Sequence, residues 1–221
     1  MFRRWLPIAS LLAVGGLADA QDGAYRLDPT ASDLHWRVYS AGAFARLGHD
    51  HVISAAGLTG SAAASAAEGT VRFELEIPVM ELVVDDPALR ARYGDAFATE
   101  PSPDDIAGTR RNMLGDAVLD AERYPSIRIS GTGPLRAGDV TLDLTVELVG
   151  RTAELTVPAR VTLGDLALEA EGEFELTHTA LGMRPFRVMM GALQVADRMD
   201  FTYRVRAARQ TTLLQSTRPS E

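Results

Sequence analysis

The fold is decided by the stretch VTLDLTVELVGRTAELTVPARVTLGDLALEAEGEFEL, residues 140–176. Leu142, Leu144, Val146 and Leu148 are apolar at every second position, and Thr141, Asp143, Thr145 and Glu147 fill the alternate places. After a turn at Gly150-Arg151 the alternation resumes at Leu155, Val157, Ala159, Val161 and Leu163. After Gly164-Asp165 it returns at Leu166, Leu168, Ala170, Phe174 and Leu176. A period of two, broken by turn residues at regular intervals, is the signature of antiparallel strands with one dry and one wet face. Several in a row predict a sandwich or an up-and-down barrel. A closed barrel of about eight strands is just wide enough to hold one small ligand.

Working outward, the same alternation appears at Leu34, Trp36 and Val38, and at Val71, Phe73, Leu75, Ile77 and Val79. It recurs at Ile127 and Ile129, and last at Met199, Phe201, Tyr203 and Val205. The small residues Ser61 to Gly69 read as a hairpin tip, and Pro78 as a strand edge or bulge. Residues 85–125 interrupt the strands. Ala88 to Tyr93 predicts a short helix. Ser102-Pro103-Asp104-Asp105 predicts a second, with serine as N-cap, proline at the first helical position and an acid facing back to the cap. Ile106, Met113, Leu114 and Ala117 then share a helical face, and this insert is placed over a barrel opening.

The first 20 residues carry Arg3 and Arg4, an apolar run from Trp5 to Leu17, and Ala18-Asp19-Ala20. Basic start, short apolar middle and A-x-A end predict a cleavable signal peptide over 1–20 and export to the periplasm. The run is shorter than the ~20 residues a membrane span needs, so no integral segment is expected after cleavage. Residues 21–207 then form one domain, and the polar stretch 208–221 reads as a disordered tail. The chain holds no cysteine, so an exported fold must rest on packing rather than disulfides. Its net charge is −8, and loss of Arg3, Arg4 and Asp19 makes it one unit more acidic. That balance argues against a nucleic-acid partner and against docking on anionic lipid through a polybasic patch.

Candidate chemistry is sparse. There is no G-x-S-x-G elbow, dinucleotide fingerprint or phosphate loop, so no catalytic residue and no enzyme is expected. His49 and His51 flank Asp50 and, two apart in an extended chain, point to one side. With His178 they could hold zinc or copper, cap a turn, or meet a polar ligand head at a barrel mouth. No metal site is assigned to them. His35, opposite in phase to Leu34 and Trp36, is expected on the surface. Trp36, Phe44, Phe73, Phe174, Phe201 and Tyr203 fall on inward faces or strand ends, where they either fill a core or line a pocket.

The motifs resemble the YceI family of exported, lipocalin-like, polyisoprenoid-binding proteins. Tyr25, Leu27, Asp28, Ser32, Leu34 and Trp36 resemble its opening. Arg111-Asn112, Leu119-Asp120, Tyr124-Pro125 and Ile127 resemble its middle signature. Leu144-Thr145-Val146 with Gly150 resembles its hairpin. Phe174, Leu176, His178, Leu181-Gly182-Met183, Val195, Asp197 and Met199 resemble its last motif. The chain departs from the pattern at Ala31, at Met113-Leu114 and in Gly48-His49-Asp50-His51. The resemblance implies an eight-stranded antiparallel lipocalin-like barrel with a helical insert and an apolar pocket for an isoprenoid or quinone-type lipid. The expected ligand contacts are Trp36, Phe44, His49, His51, Phe73, Leu144, Val146, Phe174, Leu176, His178 and Phe201. A homodimer stays open. So do a metal-binding or redox role for the His49/His51 corner and an envelope stress role through a partner surface.

Overall fold

In the computed structural model, which describes residues 22–210, the chain folds as twelve strands and two α-helices. In chain order these are β1 (Gly23–Leu27), β2 (Asp33–Ala41), β3 (His51–Ala55), β4 (Thr59–Ser65), β5 (Thr70–Pro78) and β6 (Leu82–Val84). Helices α1 (Pro87–Arg90) and α2 (Pro103–Leu114) follow. Then come β7 (Ser126–Pro134), β8 (Gly138–Leu148), β9 (Arg151–Leu163), β10 (Ala167–Thr177), β11 (Arg187–Val188) and β12 (Leu193–Arg209).

Eight strands close into an antiparallel barrel in the order β1-β4-β5-β7-β8-β9-β10-β12, with β12 returning to β1. Closure depends on the length of β12. Its last residues pair with β1 (Tyr25↔Arg209), while its first part pairs with β2 and bulges between Val195 and Met199. Strands β2, β3 and β6 extend the sheet beyond the ring. The final strand runs through Ala208 and Arg209, two residues past the expected domain edge. Residues 211–221 of the expected tail, and the signal peptide, lie outside the described residues.

The alternation read from sequence holds in β8 and β9. Val140, Leu142, Val146, Leu148, Val157, Ala159 and Val161 are buried inside, and Thr141, Asp143, Glu147, Thr156 and Arg160 are exposed outside. Leu166 is corrected. It sits on the turn before β10 and is 75% exposed, because the turn occupies one residue more than the alternation assumed.

The β9–β10 ladder is short, from Leu168↔Leu163 to Glu171↔Arg160. Beyond it, the Tyr203 hydroxyl donates to the Pro158 carbonyl at 2.6 Å and bridges the two strands from β12. Gly172 makes this crossing possible. A Cβ there would stand 2.6 Å from the Pro158 carbonyl oxygen and 2.9 Å from the Tyr203 hydroxyl.

Both predicted helices form. At α2, Ser102 and Asp105 make a reciprocal capping box with Pro103 in the first turn. Ile106, Met113 and Leu114 pack on the main core, while Ala117 falls beyond the helix end. At α1, the Asp86 carboxylate accepts from the Leu89 amide, and the chain then tightens into a 3-10 segment, Ala91–Phe97. This segment lies on the outer face of β2 and β3, where Leu89 and Phe97 bury Val52.

Candidate functional site

The barrel encloses a cavity of about 590 Å³. Pockets of roughly 300–1,000 Å³ are the usual size for small-molecule sites. The lower walls are aliphatic, from Leu142, Leu144, Val146, Val157 and Ile129 among others.

One wall is aromatic, and strand register explains it. Phe201 of β12 pairs with Trp36 of β2 on one side and Phe174 of β10 on the other. Directly opposite residues share a face, so the three rings form a row. Trp36 and Phe201 stack at 5.6 Å, and Phe174 and Phe201 at 5.1 Å with planes 6° apart. Tyr203 meets Phe174 edge-on at 6.2 Å. The rings are only half-buried, because one side of each faces the cavity rather than packed side chains.

The mouth is polar. Asp104, Asp105, Gly108, Thr109 and Asn112 of α2 line it, together with His49, His51 and Gln194. His51 is held from both sides. Its Nδ1 lies 2.5 Å from Asp85, and its Nε2 lies 3.2 Å from the Thr109 hydroxyl. Asp85 also accepts from the Val52 amide at 2.9 Å and from the Arg90 guanidinium at 2.5 Å. It occupies left-handed backbone (φ 56°), a strained conformation for a residue with a side chain. Burial alone would raise the Asp85 carboxyl, but the bonds from His51, Val52 and Arg90 outweigh it and hold the group below its usual range. Arg90 completes the pin by donating to the carbonyls of Asp50, Phe97 and Thr99. His49 is looser, 3.7 Å from Asp105, with its ring 6.3 Å from that of His51. Asp50 turns away and accepts from the Ser40 amide and hydroxyl.

Ten of the eleven expected contact residues line the cavity: Trp36, His49, His51, Phe73, Leu144, Val146, Phe174, Leu176, His178 and Phe201. Phe44 does not. It precedes the 3-10 turn Ala45–Leu47 outside the barrel and is 39% exposed. His178 Nδ1 lies 3.0 Å from the Asp197 carbonyl, which ties the end of β10 to the start of β12. His35 is corrected from surface to interior. It points away from the cavity as expected but is only 2% exposed, because the Ala91–Phe97 segment covers it. There its Nε2 lies 2.5 Å from the Tyr93 hydroxyl, and its Nδ1 3.1 Å from Asp33.

Sequence reading missed Asp85, Thr109 and Asn112. The capping box was a signal for α2, but only the fold brings that helix to the histidines. Among the described residues, no group of three or more His, Cys, Asp or Glu is arranged to hold a metal ion.

The YceI-like domain model matches residues 25–207. The chain belongs to the YceI-like family. Burkholderia cenocepacia BcnA has the same fold. It is 11% identical, with a TM-score of 0.58 over 81% of this chain and 98% of that one. The Campylobacter jejuni YCEI protein is more distant at 8% identity and a TM-score of 0.41, covering 63% of this chain and 73% of that one. No curated protein matches the YceI-like chain. No helix among its described residues is long and apolar enough to cross a membrane.

Proposed function

We propose that the protein is an exported, periplasmic carrier that holds one polyisoprenoid or quinone-type lipid in its barrel. The family and the closed barrel support the coarser statement, a hydrophobic-ligand binding protein rather than an enzyme. The observation that carries the finer reading is the cavity itself. Its walls are largely apolar, a row of stacked rings runs along one side, and most of the polar side chains gather at one end under α2, with Ser61, Glu169 and Arg206 toward the other. That layout suits a flat or chain-like apolar body with a polar head. The ring row offers faces to conjugated or methyl-branched carbons. His49, Thr109 and Asn112 can donate to or accept from a carbonyl, hydroxyl or phosphate. His51 already uses both ring nitrogens, which speaks for a positioning role and against a metal ligand.

Mature protein recovered from the periplasm, extracted with organic solvent and analysed by mass spectrometry, is expected to yield about one prenyl-chain lipid per chain. Protein that yields none, and takes up none when offered a polyprenol or a quinone, would overturn the reading.

A further inference from the structure

The chain is acidic, but two adjacent segments at the rim of the mouth are not. Five of the eight large exposed apolar side chains among the described residues cluster there: Phe44, Leu47, Val188, Met189 and Met190. They come from two adjacent segments. The Phe44 amide donates to the Ala192 carbonyl at 2.8 Å, and Val188 pairs with Leu193 at the start of β12. Residues 41–48 and 182–195 contain no carboxylate in a chain of net charge −8, and they carry Arg46, Arg184 and Arg187, all exposed. None of these arginines is in an ion pair with a described residue.

The backbone is also unusual. Met189 and Met190 both adopt left-handed conformations (φ 51° and 56°), where Gly or Asn normally sits. Met190 is left completely exposed. The fold thus spends local strain to push two methionines into solvent, and strain of this kind clusters at functional sites.

From this we infer that the tip formed by residues 44–47 and 187–191 docks on the surface of a bilayer containing anionic lipids. The long apolar side chains enter the interface, and the three arginines meet the phosphates. Apolar insertion combined with basic flanks is the usual pairing for reversible membrane attachment. The distant negative charge opposes this little, because the interaction with a membrane falls off within a Debye length; of the nearby carboxylates, Asp104 and Asp105 of α2 line the mouth beside His49, and the three arginines outnumber them. The tip is continuous with the cavity, since Phe186, Val188 and Leu193 also line it. A docked barrel therefore faces its mouth to the lipid, so an apolar ligand can pass without crossing water. The handover rests on the lipid-carrier reading. The docking does not.

The test is flotation of the exported full chain with vesicles of phosphatidylglycerol and phosphatidylethanolamine, and with pure phosphatidylcholine as comparison. Wild type is expected to float with the anionic vesicles, less with phosphatidylcholine, and less as salt rises. Leu47→Ser with Met190→Asn should weaken binding more than ~10-fold, because two buried side chains are lost. Asn suits the backbone at 190, so this variant keeps its fold, checked by circular dichroism. Arg46→Gln should cost about five-fold. Wild type that fails to float, or a double variant that floats as well as wild type, overturns the inference. So does a wild-type dimer that becomes monomeric in the double variant while neither form floats, since a second copy would then be the occupant. Lipid extraction is read in parallel. Flotation without extractable lipid keeps the tip and sinks the carrier, and lipid without flotation does the reverse.

Discussion

Strands β8 and β9 and strands β2 and β3 obey the same period of two with different results for burial. In β9, the outward residues Thr152, Glu154, Thr156, Pro158, Arg160 and Thr162 are all exposed. In β2 and β3, the outward residues His35 and Val52 are among the most buried in the chain, while the inward Trp36 and Val38 are only half-buried. Two things alter the pattern. A cover, Pro87–Phe97, dries the outer face, and the cavity leaves Trp36 and Val38 on the inner face half-open, while their neighbours Leu34 and Ile53 stay buried. Alternation reports which way a side chain points. Burial depends also on what comes to lie against that side.

The covered face also holds most of the buried polar groups among the described residues. Asp85 and Arg90 sit at its centre. Beside them Asp200 accepts from Tyr39 at 2.6 Å and from Arg198 at 2.8 Å, with Arg37 at 3.2 Å. Burial, with Asp200 beside it, pushes the Tyr39 hydroxyl up to about 12. The two faces should therefore fail differently when altered.

The largest effect is expected at the simple face. Leu142→Asp places a charge among Val157, Gly133 and the cavity wall with no partner, which costs several kcal/mol and should leave the barrel unfolded at room temperature. Thr141→Asp, one residue along and wet, should shift stability by less than ~0.5 kcal/mol. Urea melts of the pair measure the contrast, and equal losses would mean that the register of β8 is wrong.

Next is Asp85→Asn at the covered face. It leaves the Arg90 guanidinium buried without its carboxylate, and breaking a buried pair in this way costs about 3–5 kcal/mol. The same variant has a pH signature. A carboxyl whose folded value is depressed contributes stability that is present above its unfolded value, ~3.9, and is lost as pH falls through the folded value. Asp85 and Asp200 both lie low in the folded protein. For Asp200, burial is again outweighed, here by Arg198, Tyr39 and Arg37. Wild-type stability should therefore decline as pH drops below ~4, and Asp85→Asn should flatten that decline. An unchanged slope would remove Asp85 from this account.

The aromatic row gives a third, smaller contrast. Phe201→Ala removes the middle ring, which touches both neighbours, and should cost binding more than stability because the ring is already half-open to the cavity. Loss of the ring face that the ligand would stack on, at ~0.5–1.5 kcal/mol, predicts a lipid affinity roughly two- to ten-fold weaker. Titration with a fluorescent polyene lipid measures it. A variant that binds as well as wild type would leave the row as packing only.

The difference between the faces also explains how much was legible. Strands β5, β8, β9, β10 and β12 show their inner faces in sequence because solvent lies on the other side, and α2 announces itself through Ser102 and Asp105. The pin at Asp85 does not show. Its partners His51 and Arg90 lie 34 and 5 residues away, and Thr109 lies 58 residues from His51. A short polar run, Asp85-Asp86-Pro87, looks in sequence like any turn, and only the closed sheet brings it under β3. His35 was misplaced for the same reason, since Tyr93 comes from a segment with no strand period to read.

The two mouth histidines sharpen the comparison at the smallest scale. His49 and His51 sit two residues apart and face the same opening, yet one is pinned and the other is not. His51→Ala removes a donor from buried Asp85 and frees Thr109. Each lost hydrogen bond is worth about 1 kcal/mol, so a loss near 2 kcal/mol is expected, together with looser attachment of α2. His49→Ala removes only a 3.7 Å contact to half-exposed Asp105, a pair of the kind that contributes between nothing and ~1 kcal/mol. If His49 serves the ligand head, its loss should appear in lipid retention and hardly at all in the melt. Hydrogen exchange at the α2 amides separates the two, rising in His51→Ala and unchanged in His49→Ala. Equal exchange in both variants would mean that the Asp85–His51–Thr109 chain does not hold the helix over the mouth.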